Sequence, residues 1–214
     1  MADYNSDEER FTAIADFLKR NKNIILTTLA AIILIAVTSI SINAYQANQN
    51  DQAAELYDAW FAGMAEESVD VKKTSSDYNA LQNNFSKTGY GGLARLIQSS
   101  QFAREGEMDN SLLEFQELLK ATSGLFGNDV LNSLARINIA RIEVSNKNFS
   151  SALEALESFR SEGEHSMVYE IKGDALSGLG NTKLALDQYN LALQNMADES
   201  QKSLLNIKIN QLSQ

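Results

Sequence analysis

One histidine, His165, stands in a chain of 214 residues that contains no cysteine. Those two counts exclude a multi-histidine metal site, thiol catalysis, disulfides, zinc knuckles and iron–sulfur clusters. His165 follows Glu162-Gly163-Glu164, where a loose cation site competes with a solvated acidic turn, and a lone imidazole favours the turn. The acidic pairs Glu66-Glu67 and Asp198-Glu199 are consecutive, so on a helix they splay apart instead of converging for acid–base work. Gly89-Tyr90-Gly91-Gly92 lacks the Lys-Ser/Thr of a phosphate loop and leads into no strand, so its expected job is to join helices. Lys87-Thr88-Gly89 has the letters of a serine-nucleophile triplet, but no Ser-x-x-Lys accompanies it. The sequons at Asn84-Phe85-Ser86 and Asn148-Phe149-Ser150 matter only in a eukaryotic secretory pathway. The expectation is a non-enzymatic protein with no catalytic residues, no metal site and no cofactor.

Composition narrows the class further. Hydrophobic residues make up 44%, enough for a packed core. With 18 basic and 28 acidic residues the net charge is −10, which argues against a nucleic-acid partner, since that would need a basic face. Proline is absent. A chain that forgoes the commonest helix breaker and turn former points to an all-α fold.

Ile24 to Ile42 reads IILTTLAAIILIAVTSISI, 19 positions without a charge. At about 1.5 Å per residue such a helix spans roughly 28 Å, the thickness of a bilayer's hydrocarbon core. Arg10, Lys19, Arg20 and Lys22 precede it, whereas the next basic residue after it is Lys72. The positive-inside bias therefore leaves the N-terminus in the cytoplasm and sends the rest across a single-pass anchor. A cleaved signal peptide ending at Ile42-Asn43-Ala44 is the competitor, against which the apolar run and the segment before it are both long. Ahead of the span, Ser6 and Glu9 have capping-box spacing, and Phe11, Ile14, Phe17 and Leu18 follow at helical intervals. This predicts a short amphipathic helix at the cytoplasmic surface. Thr27 and Ala31 make a small-xxx-small pair, a weak sign of helix–helix contact in the membrane.

Beyond the anchor the sequence repeats. A shift of 33 residues superimposes Ala140 on Gly173, Ala152 on Ala185 and Leu156 on Tyr189, and a third copy, 41 residues earlier, supplies Ser99, Ser111 and Phe115. Each unit has one small residue at the crossing of two helices and then a turn (Gly106-Glu107, Lys147-Asn148, Gly180-Asn181). A second small residue follows, four before a large one. That plan is one helical hairpin per unit, burying its apolar face only against its neighbours. The spacing resembles the tetratricopeptide repeat. Tyr169, Gly173, Leu176, Gly180, Ala185, Tyr189 and Ala192 all suit its pattern, while Glu143 stands where a hydrophobe is expected. Leu56, Trp60, Phe61 and Met64, then Tyr78, Leu81 and Phe85, outline a divergent hairpin before the repeats, and Leu205, Ile209 and Leu212 outline a terminal capping helix. The expected order is a cytoplasmic segment over 1–23, a transmembrane anchor in the lipid bilayer over 24–45, juxtamembrane helices over 46–88, and a repeat domain with its cap over 89–214.

With that order of parts, the chain is similar to the ancillary subunits of the bacterial Sec translocon. The local markers are Tyr90-Gly91-Gly92-Leu93-Ala94-Arg95-Leu96, Ala135-Arg136-Ile137-Asn138-Ile139-Ala140-Arg141-Ile142, Lys172-Gly173-Asp174-Ala175-Leu176 and Lys208-Ile209-Asn210-Gln211-Leu212-Ser213. The resemblance implies a bacterial inner-membrane protein with a periplasmic domain that associates with Sec translocon subunits and with a membrane-anchored, prolyl-isomerase-type periplasmic chaperone. It also implies a part in passing newly exported proteins to folding factors, and it brings no catalytic residues.

Stacked hairpins offer a concave face for an extended peptide or a partner helix, lined by the first helix of each pair. Arg95, Gln98, Gln101, Arg136, Asn138, Arg141, Tyr169 and Lys172 fall there. Arg95, Arg136, Arg141, Tyr169 and Lys172 are the candidate partner-binding residues, in a segment after residue 42 with 14 basic and 23 acidic residues. The competing account is that the arginines snorkel along the face and meet nearby acids. Two other functions stay open: a scaffold for cell-wall or division machinery, and a holdase chaperone in its own right.

Overall fold

The computed structural model of the protein describes residues 7–66, 68–124, 127–157, 159 and 165–212. Among them are ten helices and no strand, as the missing prolines predict. Two compact units divide the chain, Met1–Asp51 and Gln52–Gln214.

In the first unit, α1 spans Asp7–Arg20 and α2 begins at Lys22. Phe11, Ile14, Phe17 and Leu18 of α1 are all exposed. Ser6, the expected cap, lies outside the described residues. Helix α2 (Lys22–Met64) is apolar all round in its first half, and none of its most apolar window is buried. A helix without a polar face needs an apolar surrounding. Since no protein surrounds Ile32 to Ile35, which are 54–69% exposed, the helix has the length and surface of a membrane span. Thr27 turns its hydroxyl onto the backbone carbonyl of Asn23 at 2.9 Å, so this polar side chain presents no unmet donor to lipid.

The second unit holds the end of α2 and the helices α3 (Val71–Phe85), α4 (Gly89–Glu105), α5 (Met108–Ala121), α6 (Asp129–Ser145), α7 (Phe149–Glu157), α8 (Ser166–Gly178), α9 (Thr182–Gln194) and α10 (Glu199–Leu212). Helices α4–α5, α6–α7 and α8–α9 are the three predicted hairpins. The same stripe recurs on each second helix: Ser111, Phe115, Leu118, then Ala152 and Leu156, then Ala185, Tyr189, Ala192, with Phe159 at the matching sequence position just past the end of α7. Its spacing of four and three residues keeps the stripe on one helix face. The small residues at the crossings are buried as expected: Ser99 and Ala140 are fully covered, and a methyl group on Gly173 would collide with the Tyr189 ring. In the first hairpin Ser111 donates its hydroxyl to the Ser99 carbonyl across the crossing, at 2.8 Å.

Three left-handed residues, Gly106, Lys147 and Gly180, do the work of the missing prolines by ending the first helix of each hairpin. At each, the next amide reaches back to the carbonyl five residues earlier: Glu107 to Phe102 at 2.8 Å, Asn148 to Glu143 at 2.8 Å, Asn181 to Leu176 at 2.9 Å. This is the Schellman arrangement, made three times. The next helices start on side-chain caps where a longer loop precedes them, as when Asp70 accepts from the amides of Lys72 and Lys73 and Asn128 from that of Leu131. Glu143, the polar residue at an expected hydrophobic position, is buried and accepts a 2.8 Å bond from the Asn148 side chain.

The core is a series. One cluster joins α2, α3 and α4 (Ala53, Trp60, Leu81, Ala94), and a second joins α5 and α6 around Phe115 and Leu131. A third joins α6, α7 and α8 around Ala140 and Leu156, and the last joins α9 to α10 around Tyr189 and Leu205. No cluster skips a neighbour, which is the construction of a solenoid.

Candidate partner-binding surface

The first helices of the hairpins, α4, α6 and α8, carry the residues in question. Arg95 is held in place by neighbours: its Nε donates to Gln82 at 2.8 Å and its guanidinium pairs with Glu114 at 3.0 Å, with only 11% of the side chain exposed. Tyr78 donates its hydroxyl to the same Glu114 oxygen at 2.7 Å, so one carboxylate ties α3, α4 and α5 together. Burial first, and the Glu114 carboxylate second, push the Tyr78 phenol far above its ordinary value. Arg136 donates to Asn132 at 3.0 Å and to the carbonyl of Ala155 at 3.1 Å, fastening α6 to α7. Both arginines are thus committed inside the fold.

Arg141 differs. It is exposed, and no hydrogen bond or ion pair engages it among the described residues. Lys172 is half-buried on α8 and is likewise without such a bond. Tyr169 packs against the last core cluster and keeps partial exposure. Asn138 turns its side chain onto the Leu134 carbonyl at 2.8 Å. His165 precedes α8 and meets Phe159 edge to face, with ring centres 5.6 Å apart, while residues 162–164 lie outside the described set. No group of His, Asp and Glu is placed to hold a metal ion among the described residues.

The structure exposes a further regularity along the first helices. Leu93, Leu134 and Met167 each lie six residues before the small crossing residue of their hairpin, and they are 39%, 36% and 40% exposed. One apolar side chain per repeat, in one register and equally accessible, makes a stripe on the first helices. The signal was present in the repeat alignment, but periodicity alone labels such residues as core. Burial decides it, and all three are left facing solvent.

The far end of the domain is closed by charge. Lys208 of α10 reaches Glu170 at 2.7 Å and Asp174 at 2.8 Å on α8, and Tyr189 donates to the same Asp174 oxygen at 2.9 Å. Burial, the largest single influence on Lys208, favours the neutral amine. The bonds and charges of Asp174 and Glu170 together outweigh it, and its affinity for the proton is raised. Tyr189 is pushed up by burial and by its bond to Asp174.

At the near end a cleft of about 420 Å³ opens beside Trp60, Tyr78, Gln98, Gln101, Phe102 and Glu114. It places Gln98 and Gln101 of the expected first-helix face in a recess of their own.

A tetratricopeptide repeat-like domain family matches residues 15–214. The chain is 23% identical to the ancillary SecYEG translocon subunit of Escherichia coli K12, over 100% of both chains. It is 24% identical to the protein of that name from Aggregatibacter actinomycetemcomitans, over 99% of this chain and 100% of that one. Against the same-named protein of Buchnera aphidicola from Acyrthosiphon pisum it is 24% identical, over 68% of this chain and 74% of that one. No solved structure matches the chain. Hairpins, left-handed helix ends and a serial core agree with that family match, and the chain belongs to the tetratricopeptide repeat-like domain family, its curated full-length relatives being ancillary SecYEG translocon subunits.

Proposed function

We propose that this chain is a non-enzymatic, membrane-tethered interaction protein that associates with the Sec translocon. In this reading α2 crosses the bacterial inner membrane once, residues 1–23 stay in the cytoplasm with α1 against the lipid surface, and the repeats stand in the periplasm. There they pass exported polypeptides to folding factors, a membrane-anchored prolyl-isomerase-type chaperone among them. The observation that carries the reading is the end-to-end match to a protein named for the SecYEG translocon. The basic flank before the span supports the orientation. Tethering supports the task, since a domain held beside a channel exit meets its partners at high effective concentration. Arg141, Tyr169 and Lys172 are the proposed polar contacts.

Photocrosslinking in native membranes tests this, with photoreactive residues at positions 134, 141 and 172 and mass spectrometry of what is captured. Channel subunits together with a periplasmic chaperone are the expected catch. Division or wall-synthesis proteins without any channel subunit would overturn the reading in favour of an envelope scaffold.

A second reading has its own support in Leu93, Leu134 and Met167. Helices packed side by side stand about 8–10 Å apart, and an unfolded chain in the polyproline II form advances about 3.1 Å per residue with three residues per turn. Three apolar rungs at that interval match every third side chain of an unfolded client. Purified full-length protein in nanodiscs that suppresses aggregation of a model client would favour a holdase.

A further inference from the structure

We propose that the outward face of α10 is a docking surface for a second copy of this chain, the two α10 helices packing antiparallel about a two-fold axis. The pairing is separate from the Sec association above, and only its appeal to membrane anchoring rests on that reading.

The face is unlike the rest of the domain surface. Leu205 is buried, and Ile209 and Leu212 pack beside it against the last core cluster. On the opposite side Ser203, Leu204, Asn206, Ile207, Asn210 and Gln211 are all exposed, Leu204 and Ile207 by 64% and 53%. None of the six carries a charge. Both lysines of the helix are already paired, Lys202 with Glu199 at 2.8 Å and Lys208 with Glu170 at 2.7 Å. By contrast, the second helix of each hairpin exposes charges: Asp109 and Lys120 on α5, Glu154 and Glu157 on α7, Lys183 and Asp187 on α9. A terminal cap that faces water needs a polar outer face. Two large aliphatic side chains on a charge-free one mark an interaction site.

Charge and spacing select a second copy as the occupant. After residue 42 the chain has 14 basic and 23 acidic residues, so two copies repel over most of their surface. A neutral face is where they can meet without that cost. Asn206, Asn210 and Gln211 each offer a donor and an acceptor, so each can answer its own kind, which a charged side chain cannot. Ser200, Leu204, Ile207 and Gln211 follow at intervals of four, three and four, the seam of a coiled coil. Those intervals read the same in either direction. Reversed against itself, the seam sets Leu204 of one copy on Ile207 of the other, with Ser200 opposite Gln211 at both ends. A parallel pair would instead bring together the acidic starts of the two helices, Asp198 and Glu199. The antiparallel contact is isologous and closes on itself. One helix pair is small beside the roughly 1,200 Å² of a stable interface. Copies anchored by α2 in one bilayer meet at a raised effective concentration, which offsets the small area.

The chain has no cysteine, so introduced cysteines report cleanly. Two differently tagged full-length copies, Ser200→Cys and Gln211→Cys, are co-expressed and treated in native membranes with a short bismaleimide. A product carrying both tags is expected. Ser200→Cys alone is expected to give about tenfold less, since its two cysteines lie roughly 16 Å apart along the helix axes. Leu204→Lys combined with Ile207→Lys, at exposed positions, is expected to cut the two-tag product about tenfold with helix content unchanged, because like charges then face each other. Absence of a two-tag product overturns the proposal, as does crosslinking to some other protein in its place. Full crosslinking in the lysine variant overturns it too, as does equal crosslinking by Ser200→Cys alone. Positions 134, 141 and 172, which test the Sec association, are untouched by these changes, so the two readings fail separately.

Discussion

The ring of Tyr189 lies against the backbone of Gly173 so closely that a β-carbon at position 173 would sit inside it. Both residues are buried, and the contact closes the third hairpin at its crossing. Gly173→Ala is therefore expected to destabilise the repeat domain by about 1–3 kcal/mol, the usual cost of overpacking a filled core. Ala140→Gly, at the equivalent crossing, leaves a gap and costs about 1 kcal/mol through helix propensity. Urea melts of the two variants followed by circular dichroism check the pair.

Lys147 is the one non-glycine residue with positive φ among the described residues, at 62°, where the other two hairpins carry Gly106 and Gly180. It is exposed and its side chain has no packing role. Lys147→Gly is expected to stabilise the domain by about 0.5–1 kcal/mol, because relief of left-handed strain exceeds glycine's entropy cost there. A rise in the urea midpoint with an unchanged slope would register it.

Arg95 and Glu114, 11% and 22% exposed, form an ion pair inside the fold. Arg95→Met leaves the carboxylate uncompensated and is expected to cost about 3 kcal/mol. Combining it with Glu114→Leu is expected to recover most of that loss. A single variant that loses partner crosslinks without losing stability would instead show that Arg95 works at an interface.

Tyr78 and Tyr189 are held protonated by burial and by carboxylate partners. A group whose folded pKa lies above its unfolded value contributes stability that is intact below about pH 10, the ordinary phenol value, and that fades as pH rises beyond it. Lys208 shares that sign, its charged form being favoured by Asp174 and Glu170. Tyr57 is also pushed up, by burial and by Asp58. The alkaline titration at 295 nm should therefore show three of the seven tyrosines, Tyr57, Tyr78 and Tyr189, ionising late, together with loss of helix. A single early wave with helix intact contradicts this.

Replacing Leu93, Leu134 and Met167 together by glutamine is expected to leave stability within about 1 kcal/mol of the parent, since all three are substantially exposed. The same change should abolish client holding if the stripe performs it. Aggregation assays beside a urea melt separate the two effects.

The hairpins were legible because small residues and turns recur at fixed intervals, and Ser99, Ala140 and Gly173 could be matched without coordinates. The candidate partner-binding residues were less so. Charge and helix register put Arg95, Arg136 and Arg141 on one list, but only the fold shows that a carboxylate from α5 and a carbonyl from α7 take up the first two. Those partners lie 19 residues away in each case. Glu143 is similar: read as a departure from the repeat, it is met by Asn148, whose role depends on the left-handed turn between them. Sequence patterns reveal which side chains share a helix face, whereas the pairing of leftover polar groups is a three-dimensional matter.

The serial core has a kinetic corollary. Because every hydrophobic cluster is drawn from helices adjacent in the chain, no segment has to wait for a distant partner before it can bury its apolar face. Topologies so local close in microseconds to milliseconds. A chain delivered one end first thus acquires its structure hairpin by hairpin as it arrives, with little time spent as an exposed, sticky intermediate.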